Sequence, residues 1–252
     1  MSGHSKWSTI KRKKGAIDAA RGKVFTKIIK EITVAARIGG GDIEANPRLR
    51  LAVQTAKSNN MPADNITRAI KKGTGELEGV SYEEITYEAY GPGGTALIIE
   101  SMTDNRNRTV ADLRHLLSRN GGNLAESGAV SWNFERKGVI VISKGKYSEE
   151  ELLNIVLDSG ADDFSDEDDF FEVTASLENF DAVRKAIETA NLSGLKIENA
   201  SLQYVAKSAN KVEGKEAEQV VKLISVIEDN DDVQNVYSNA DIDESVMASI
   251  NT

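Results

Sequence analysis

Residues 85–101 read ITYEAYGPGGTALIIES, and in this stretch the chain changes from a helical to a mixed α and β pattern. Residues 85–90 alternate apolar and polar side chains as a strand does, and residues 95–101 form a second, apolar strand. Between them, Gly91-Pro92-Gly93-Gly94 combines two amino acids that favour turns. The turn matches neither a Walker loop nor a dinucleotide-binding fingerprint, so the sequence predicts a β-hairpin.

Downstream of the hairpin, residues 106–120 carry apolar side chains at helical spacing, and a strand is predicted near 129–134. Residues 138–206 then follow the order βαββαβ, which is a ferredoxin-like unit. A last helix is predicted at 215–228 and a last strand at 233–238. Since these last two elements have no unpaired strand near them in the sequence, we expect them to return to the hairpin.

Upstream of the hairpin, three helical segments are predicted. Residues 24–36 carry one apolar stripe, and Asn46-Pro47 is typical of a helix cap followed by the first helical position. Pro62 opens a third helix that Gly73 closes. Because the connections are short, we expect a small three-helix bundle.

These patterns predict an α+β protein with an N-terminal three-helix domain followed by two α/β domains, one of them ferredoxin-like and inserted into the other. The predicted domains are a basic arm and helical bundle at 1–78, a discontinuous central α/β domain at 79–134 with 207–240, an inserted βαββαβ domain at 135–206, and a C-terminal tail at 241–252.

The charge of the chain is unevenly distributed. The first 75 residues hold 16 of the 31 Lys and Arg but only 5 of the 40 Asp and Glu, so that segment is formally +11 and the remainder −20. Such asymmetry favours a polyanionic partner, and nucleic acid is the obvious one. A solubilising charged face is the alternative, but these bases lack neighbouring acids that would relieve their mutual repulsion.

The arm at residues 1–23 is polar and poor in large apolar side chains, so we expect it to be mobile when no partner is bound. Its bases would contact phosphates, and Trp7 is available to stack on a nucleobase. The candidate nucleic-acid-binding residues of the arm and bundle are Lys6, Trp7, Lys11, Arg12, Lys13, Lys14, Arg21, Lys23, Lys27, Lys30, Arg37, Arg48, Arg50, Lys57, Arg68, Lys71 and Lys72. Those from Lys27 to Lys72 are expected on the outer faces of the bundle.

A second candidate anion site lies in the segment 104–109, DNRNRT, just before the predicted helix. Arg106 and Arg108, together with the helix N-terminus, could hold a phosphate or a carboxylate. The alternative is that Asn105 or a neighbouring side chain caps the helix and the arginines are solvated. From the physics of helix ends alone, we favour the capping interpretation.

Several classes of protein and site are not indicated. The chain has no cysteine and only two histidines, and its acidic run at 158–169 lacks the spacing of an EF-hand, so we expect no metal and no cofactor. No nucleophile, base and orienting group are brought together, so we expect no catalytic residue, no small-molecule substrate and no enzyme. No apolar run approaches the length of a membrane span, and no secretory signal is present, so we expect a cytoplasmic protein without membrane contact. We also expect a monomer.

Six short and distinctive sequence blocks are spread along nearly the whole chain: GHSKW at 3–7, NPRLR at 46–50, RAIKKGTGE at 68–76, EAYGPGG at 88–94, TDNRNRT at 103–109 and VQNVYSN at 233–239. Together they resemble the YebC/PmpR family. The resemblance implies an N-terminal helical domain and two α/β domains around a large cavity, with no enzymatic activity. The basic motif of the family corresponds here to Lys6, Trp7, Lys11, Arg12, Arg21, Lys23, Arg48, Arg50, Lys71 and Lys72.

Bacterial members of that family are described as DNA-binding transcriptional regulators, which implies a non-enzymatic regulator of gene expression that binds DNA. Other members act on the ribosome or activate translation, so the alternative is a ribosome-associated factor that binds ribosomal RNA or messenger RNA. A scaffold whose basic segment binds an acidic protein is a third hypothesis. Charge alone cannot separate DNA from RNA, and neither a helix-turn-helix nor an RNA-recognition-motif signature is evident.

Overall fold

The computed structural model describes residues 19–167 and 169–243. These residues divide into two compact units, one at 131–209 and one that combines 19–130 with 210–243. The elements, in chain order, are α1 (Ala19–Gly39), α2 (Pro47–Ser58), α3 (Ala63–Gly73), β1 (Glu83–Tyr90), β2 (Ala96–Thr103), α4 (Arg106–Arg119), β3 (Asn123–Leu124), β4 (Phe134–Ser143), α5 (Glu149–Asp158), β5 (Asp163–Asp166), β6 (Phe170–Ala175), α6 (Phe180–Thr189), β7 (Lys196–Ala206), β8 (Asn210–Val212), α7 (Gly214–Glu228), β9 (Val233–Ser238) and β10 (Ala240–Ile242).

The discontinuous unit begins with the predicted helical bundle of α1, α2 and α3. The Asn46 side chain accepts a hydrogen bond from the Leu49 amide at 3.0 Å, so it caps α2 as predicted. The apolar stripes of the three helices face one another and bury Ile32, Leu49 and Ile66. This burial is the main source of stability for helices of this length.

The same unit contains a four-stranded sheet of order β3-β1-β2-β9. Strands β1 and β2 form the predicted hairpin, in which Tyr90 is opposite Ala96. Strand β9 pairs with β2, with Val236 opposite Ile99, so the C-terminal strand does return to the hairpin. Helices α4 and α7 share one apolar core with this sheet. Strands β8 and β10 form a separate two-stranded parallel sheet.

The unit at 131–209 has a sheet of order β5-β6-β4-β7, in which all neighbours are antiparallel. With α5 and α6 between the strands, this is the ferredoxin-like βαββαβ arrangement. Ile140 of β4, Val156 of α5 and Val183 of α6 are fully buried in its core. Gly138 lies so close to α6 that a Cβ atom there would overlap the ring of Phe180.

The predicted fold class is confirmed: an N-terminal helical region precedes α/β parts, and the architecture is α+β. The domain bounds given above stay predictions. Two details of the predicted ends differ from the structure. Residues 19–23, assigned to the arm, belong to α1, and the first residues assigned to the tail, Asp241 and Ile242, belong to β10.

The prediction of a strand near 129–134 was wrong. Residues 131–133 form a short 3₁₀ turn, and β4 begins only at Phe134. The reason is the carboxylate of Glu88, which accepts hydrogen bonds from the amides of Gly128 and Val130, each at 2.7 Å. Bound in this way, the segment folds back toward β1 and does not extend into a new strand.

In the described ranges 19–167 and 169–243, none of the helices combines the length and the hydropathy that crossing a bilayer would require.

Candidate nucleic-acid interface

The predicted basic residues fall into three groups in the structure. The first group is not described: Lys6, Trp7, Lys11, Arg12, Lys13 and Lys14 lie outside the described residues. Arg21 belongs to α1, but its side chain is likewise outside the description. The second group is exposed and unpaired, and the third is bound by acceptors of the chain itself.

The exposed group consists of Lys57 at the end of α2 and Arg68, Lys71 and Lys72 on α3. Within the part of the chain that the structure describes, none of the four forms an ion pair or a side-chain hydrogen bond. The three bases of α3 stand at positions i, i+3 and i+4, so they share one face of the helix. Their positive charge is therefore available to a partner from outside the chain.

A structural role for these bases has to be weighed against binding. Lys57, Lys71 and Lys72 lie in the last turns of their helices, where a cation complements the helix dipole. That contribution is small for exposed side chains, on the order of 0.3–1 kcal/mol. Arg68 lies before the last turn of α3, so the helix dipole does not account for a positive charge at that position.

The fold holds α3 tightly against α1. The hydroxyl of Thr33 donates to the carbonyl oxygens of Ile29 at 2.8 Å and Ala69 at 3.4 Å. Gly73 approaches α1 so closely that a Cβ atom would overlap the Thr33 carbonyl oxygen. Only glycine permits this distance between the two backbones, so the basic face of α3 has a defined position on α1.

The lysines of α1 behave differently from those of α3. Lys23 forms an ion pair with Asp229 at 2.7 Å, and Lys27 donates to the carbonyl oxygen of Glu228 at 2.8 Å. Both acceptors lie at the C-terminal end of α7, where helix carbonyls lack intrahelical partners. These two lysines therefore cap α7.

Lys30 is the strongest departure from the sequence-based expectation, which put it on an outer face of the bundle. It is only 6% exposed. Its ammonium group donates to Oδ1 of Asp232 at 2.9 Å and to the carbonyl oxygens of Asp231 and Met102 at 2.8 and 3.2 Å. The ring of Tyr82 lies 5.3 Å from the same nitrogen. The predicted exposure of Lys30 was wrong because these partners, far away in sequence, enclose it.

Asp232 joins Lys30 to the segment predicted as a second anion site. Its Oδ2 accepts hydrogen bonds from Arg108 at 2.8 Å, from Thr109 at 2.9 Å and from Thr103 at 3.2 Å. Burial alone would raise the pKa of Asp232, but the hydrogen bonds from Lys30, Arg108 and Thr109 outweigh it and lower the pKa to about 2. The carboxylate is therefore ionised at neutral pH.

The DNRNRT segment thus binds a carboxylate, and the carboxylate belongs to the chain. Hydrogen bonds from Arg108 to Asp232 and Asp104 raise the pKa of the guanidinium above its usual range. Asn105 caps α4 by accepting from the Arg108 amide at 3.1 Å, so the capping interpretation is confirmed. Arg108 is exposed to solvent, as expected, but it also forms ion pairs with two carboxylates of the chain. Within the described ranges, Arg106 forms no ion pair with a carboxylate.

Three arginines of the bundle also have partners in the chain. Arg48 bridges Glu31 and Glu84 through bonds of 2.7 and 2.6 Å, and these carboxylates raise its pKa although burial alone would lower it. Arg37 donates to Ser81 and to the carbonyl oxygen of Tyr82. Arg50 donates to the Glu44 carbonyl oxygen at 2.9 Å.

Two protein-family models match the chain. Residues 5–76 match the model described as the TACO1/YebC protein N-terminal domain, and residues 82–240 match the TACO1/YebC second and third domain. The chain belongs to the TACO1/YebC family. The resemblance seen in the sequence blocks is therefore confirmed.

Curated relatives of this family cover almost the whole chain. A protein of Desulforapulum autotrophicum is 57% identical over 98% of both chains, and one of Syntrophobacter fumaroxidans is 60% identical over 98% of both. Each carries the name probable transcriptional regulatory protein. The crystal structure of a conserved hypothetical protein from Aquifex aeolicus superposes with a TM-score of 0.83 at 44% identity, covering 91% of this chain and 94% of that one.

In this TACO1/YebC protein the described basic residues therefore fall into a group that is bound within the chain and a group that is exposed. Those of α1 whose side chains the structure describes, together with Arg48 and Arg50 of α2, bind acceptors of the same unit. Those at the end of α2 and on α3 are exposed and form no ion pair within the described ranges. The acidic run Glu228–Asp232, which supplies acceptors for α1, was not predicted as part of this site, and its position directly before β9 was the one signal in the sequence that could have indicated it.

Proposed function

We propose that the chain is a non-enzymatic, cytoplasmic regulator of gene expression that binds the phosphate backbone of DNA. The observation that carries the proposal is the exposed, unpaired basic group of Lys57, Arg68, Lys71 and Lys72. The names of the curated relatives, probable transcriptional regulatory proteins, support a regulatory role. The block of bases at Lys11–Lys14 would extend the same contact from the arm.

The mechanism is electrostatic. Lysines and arginines that neutralise phosphates release condensed counterions, so affinity depends steeply on salt and little on base sequence. Side chains at i, i+3 and i+4 on α3 are neighbours on one face of the helix, so they present a continuous row of positive charge to a phosphate backbone. The remaining chain is formally −20 and would be repelled by the polyanion, which leaves its surfaces to other partners.

The test is direct binding of the full chain to duplex DNA and to ribosomal RNA at low ionic strength. Each affinity is measured across a salt series, and in-cell crosslinking with sequencing of both DNA and RNA identifies the bound polymer. Recovery of promoter DNA supports the proposal, whereas recovery of ribosomal RNA replaces DNA with the ribosome as the target. If neither polymer binds, nucleic-acid recognition by this basic group is ruled out.

A further inference from the structure

The contacts of Lys30 and Asp232 satisfy both charged groups completely with protein partners. The ammonium group has three N–H donors, and three acceptors lie within hydrogen-bond distance: one carboxylate oxygen and two carbonyl oxygens. The other carboxylate oxygen of Asp232, Oδ2, accepts hydrogen bonds from Arg108 and from two threonine hydroxyls. Both side chains are 7% exposed.

These bonds join four elements from three separate regions of the sequence. Lys30 comes from α1, Thr103 ends β2, Arg108 lies in the first turn of α4, and Asp232 directly precedes β9. Any displacement of α1 from the sheet would leave a buried charge without its partner, which is far more costly than stretching an exposed pair. The cost rises steeply with distance, so a single relative position of these elements is favoured.

We propose that Lys30 is a positioning residue: its pair with Asp232 fixes the bundle, and with it the basic face of α3, in one orientation on the central sheet. The position of α1 also fixes that of α3, because Gly73 approaches α1 closely and the Thr33 hydroxyl donates to the Ala69 carbonyl oxygen. That this orientation serves phosphate binding rests on the proposed function. The fixed orientation itself does not.

The absence of cysteine makes the orientation measurable by site-directed spin labelling. Thr67→Cys on α3 and Glu218→Cys on α7 are both exposed positions, and a pair of spin labels there reports the distance between bundle and sheet. We expect a narrow distance distribution in the parent chain. Lys30→Met should broaden it or shift it, while Lys211→Ala, which removes an exposed pair with Glu213, should leave it unchanged.

Lys30→Met leaves the Asp232 carboxylate without its ammonium partner, so a second variant guards against loss of folding. Lys30→Met combined with Asp232→Asn removes both charges and with them the cost of a lone buried charge. This double variant keeps the apolar contacts of α1 but loses the ion pair. A distribution as narrow as that of the parent in either folded variant overturns the proposal, and broadening supports it.

Binding measurements then separate positioning from direct contact. If Lys30 only positions α3, Lys30→Met keeps the slope of log affinity against log salt, because the number of phosphate contacts is unchanged. A slope reduced by about 0.7–0.9, the value for one lost contact, makes Lys30 a phosphate ligand and overturns its assignment. If the parent chain binds no nucleic acid, the proposed function fails, while the distance distributions still test the fixed orientation.

Discussion

The ammonium nitrogen of Lys30 lies 2.9 Å from Oδ1 of Asp232, although 202 positions separate the two residues in the chain. Both side chains are almost completely buried. A lysine that the sequence pattern presents as part of a basic surface is thus an internal structural group. The consequences of this pair, and of the bases left exposed, can be measured separately.

Replacing Asp232 by Asn should strongly destabilise the chain. The change leaves the charge of Lys30 buried without a counterion, and breaking a buried pair in this way costs about 3–5 kcal/mol in the free energy of unfolding. Urea denaturation followed by circular dichroism measures the loss. Lys211→Ala, at an exposed pair with Glu213, should leave stability nearly unchanged. Equal losses in the two variants would contradict the buried role of Asp232.

The same carboxylate predicts how stability depends on pH. Because the pKa of Asp232 is lowered to about 2 in the folded chain, the unfolded chain takes up the proton first as pH falls. The contribution of Asp232 is therefore complete above its ordinary pKa of about 4 and is lost progressively between about pH 4 and pH 2. Urea midpoints of parent and Asp232→Asn, measured at constant ionic strength, should converge over that range. A gap that stays constant with pH would contradict the assignment.

Removing the exposed bases should weaken nucleic-acid binding without unfolding the chain. With Lys57, Arg68, Lys71 and Lys72 all changed to Ala, the slope of log affinity against log salt should fall by about 3, at about 0.7–0.9 for each lost phosphate contact. Stability should change little, since these side chains are exposed and form no ion pair in the described ranges.

The matched control for that variant removes four other exposed lysines. Lys185→Ala on α6, Lys207→Ala after β7, and Lys215→Ala with Lys222→Ala on α7 remove the same positive charge outside the candidate interface. Its salt slope should stay that of the parent. A similar fall in both variants would mean that binding follows net charge alone, and not the group on α2 and α3.

Arg48 should not tolerate the conservative change to Lys. Its guanidinium makes paired bonds to Glu31 at 2.7 and 3.1 Å and to Glu84 at 2.6 and 3.1 Å, a geometry that an ammonium group cannot reproduce. We expect Arg48→Lys to lower the free energy of unfolding by about 1–2 kcal/mol. Arg68→Lys, at a position without such partners, should be nearly neutral. Thermal melts of the two variants provide the comparison.

Gly73→Ala tests the close approach of α3 to α1. The added Cβ atom would overlap the carbonyl oxygen of Thr33, so the helices must separate, at a cost of about 1–3 kcal/mol. Gly22 offers the opposite case, because it lies in α1 with open space around it. Gly22→Ala should stabilise the chain by about 0.5–1 kcal/mol through helix propensity. If both changes had the same sign, the contact at Gly73 would not limit the packing of α3.

Local signals predicted much of the fold. Asn46 and Asn105 cap their helices as their neighbours in sequence indicate, because a cap is decided within one turn. The hairpin of β1 and β2 followed from alternation and from a turn of glycine and proline. The pairing of β9 with β2 followed from elimination, since no nearer strand was available.

The errors arose where a distant side chain decides the local structure. Val130, Trp132 and Phe134 alternate as a strand would, but the carboxylate of Glu88 accepts hydrogen bonds from the amides of Gly128 and of Val130 itself. Lys23, Lys27 and Lys30 recur at helical spacing, and such a basic stripe looks exposed until its acceptors are known. No pattern within α1 shows that carbonyl groups and a carboxylate from the end of α7 will lie against it.

The long separation of Lys30 from Asp232 also has a consequence for biosynthesis. A ribosome completes the bundle early, yet the carboxylate that neutralises Lys30 emerges only after the whole unit at 131–209 has been made. During that interval the lysine must remain hydrated, so α1 cannot reach its final environment on a partly synthesised chain. The intervening unit has its own core and can fold meanwhile, which leaves closure of the central sheet as the last event of maturation.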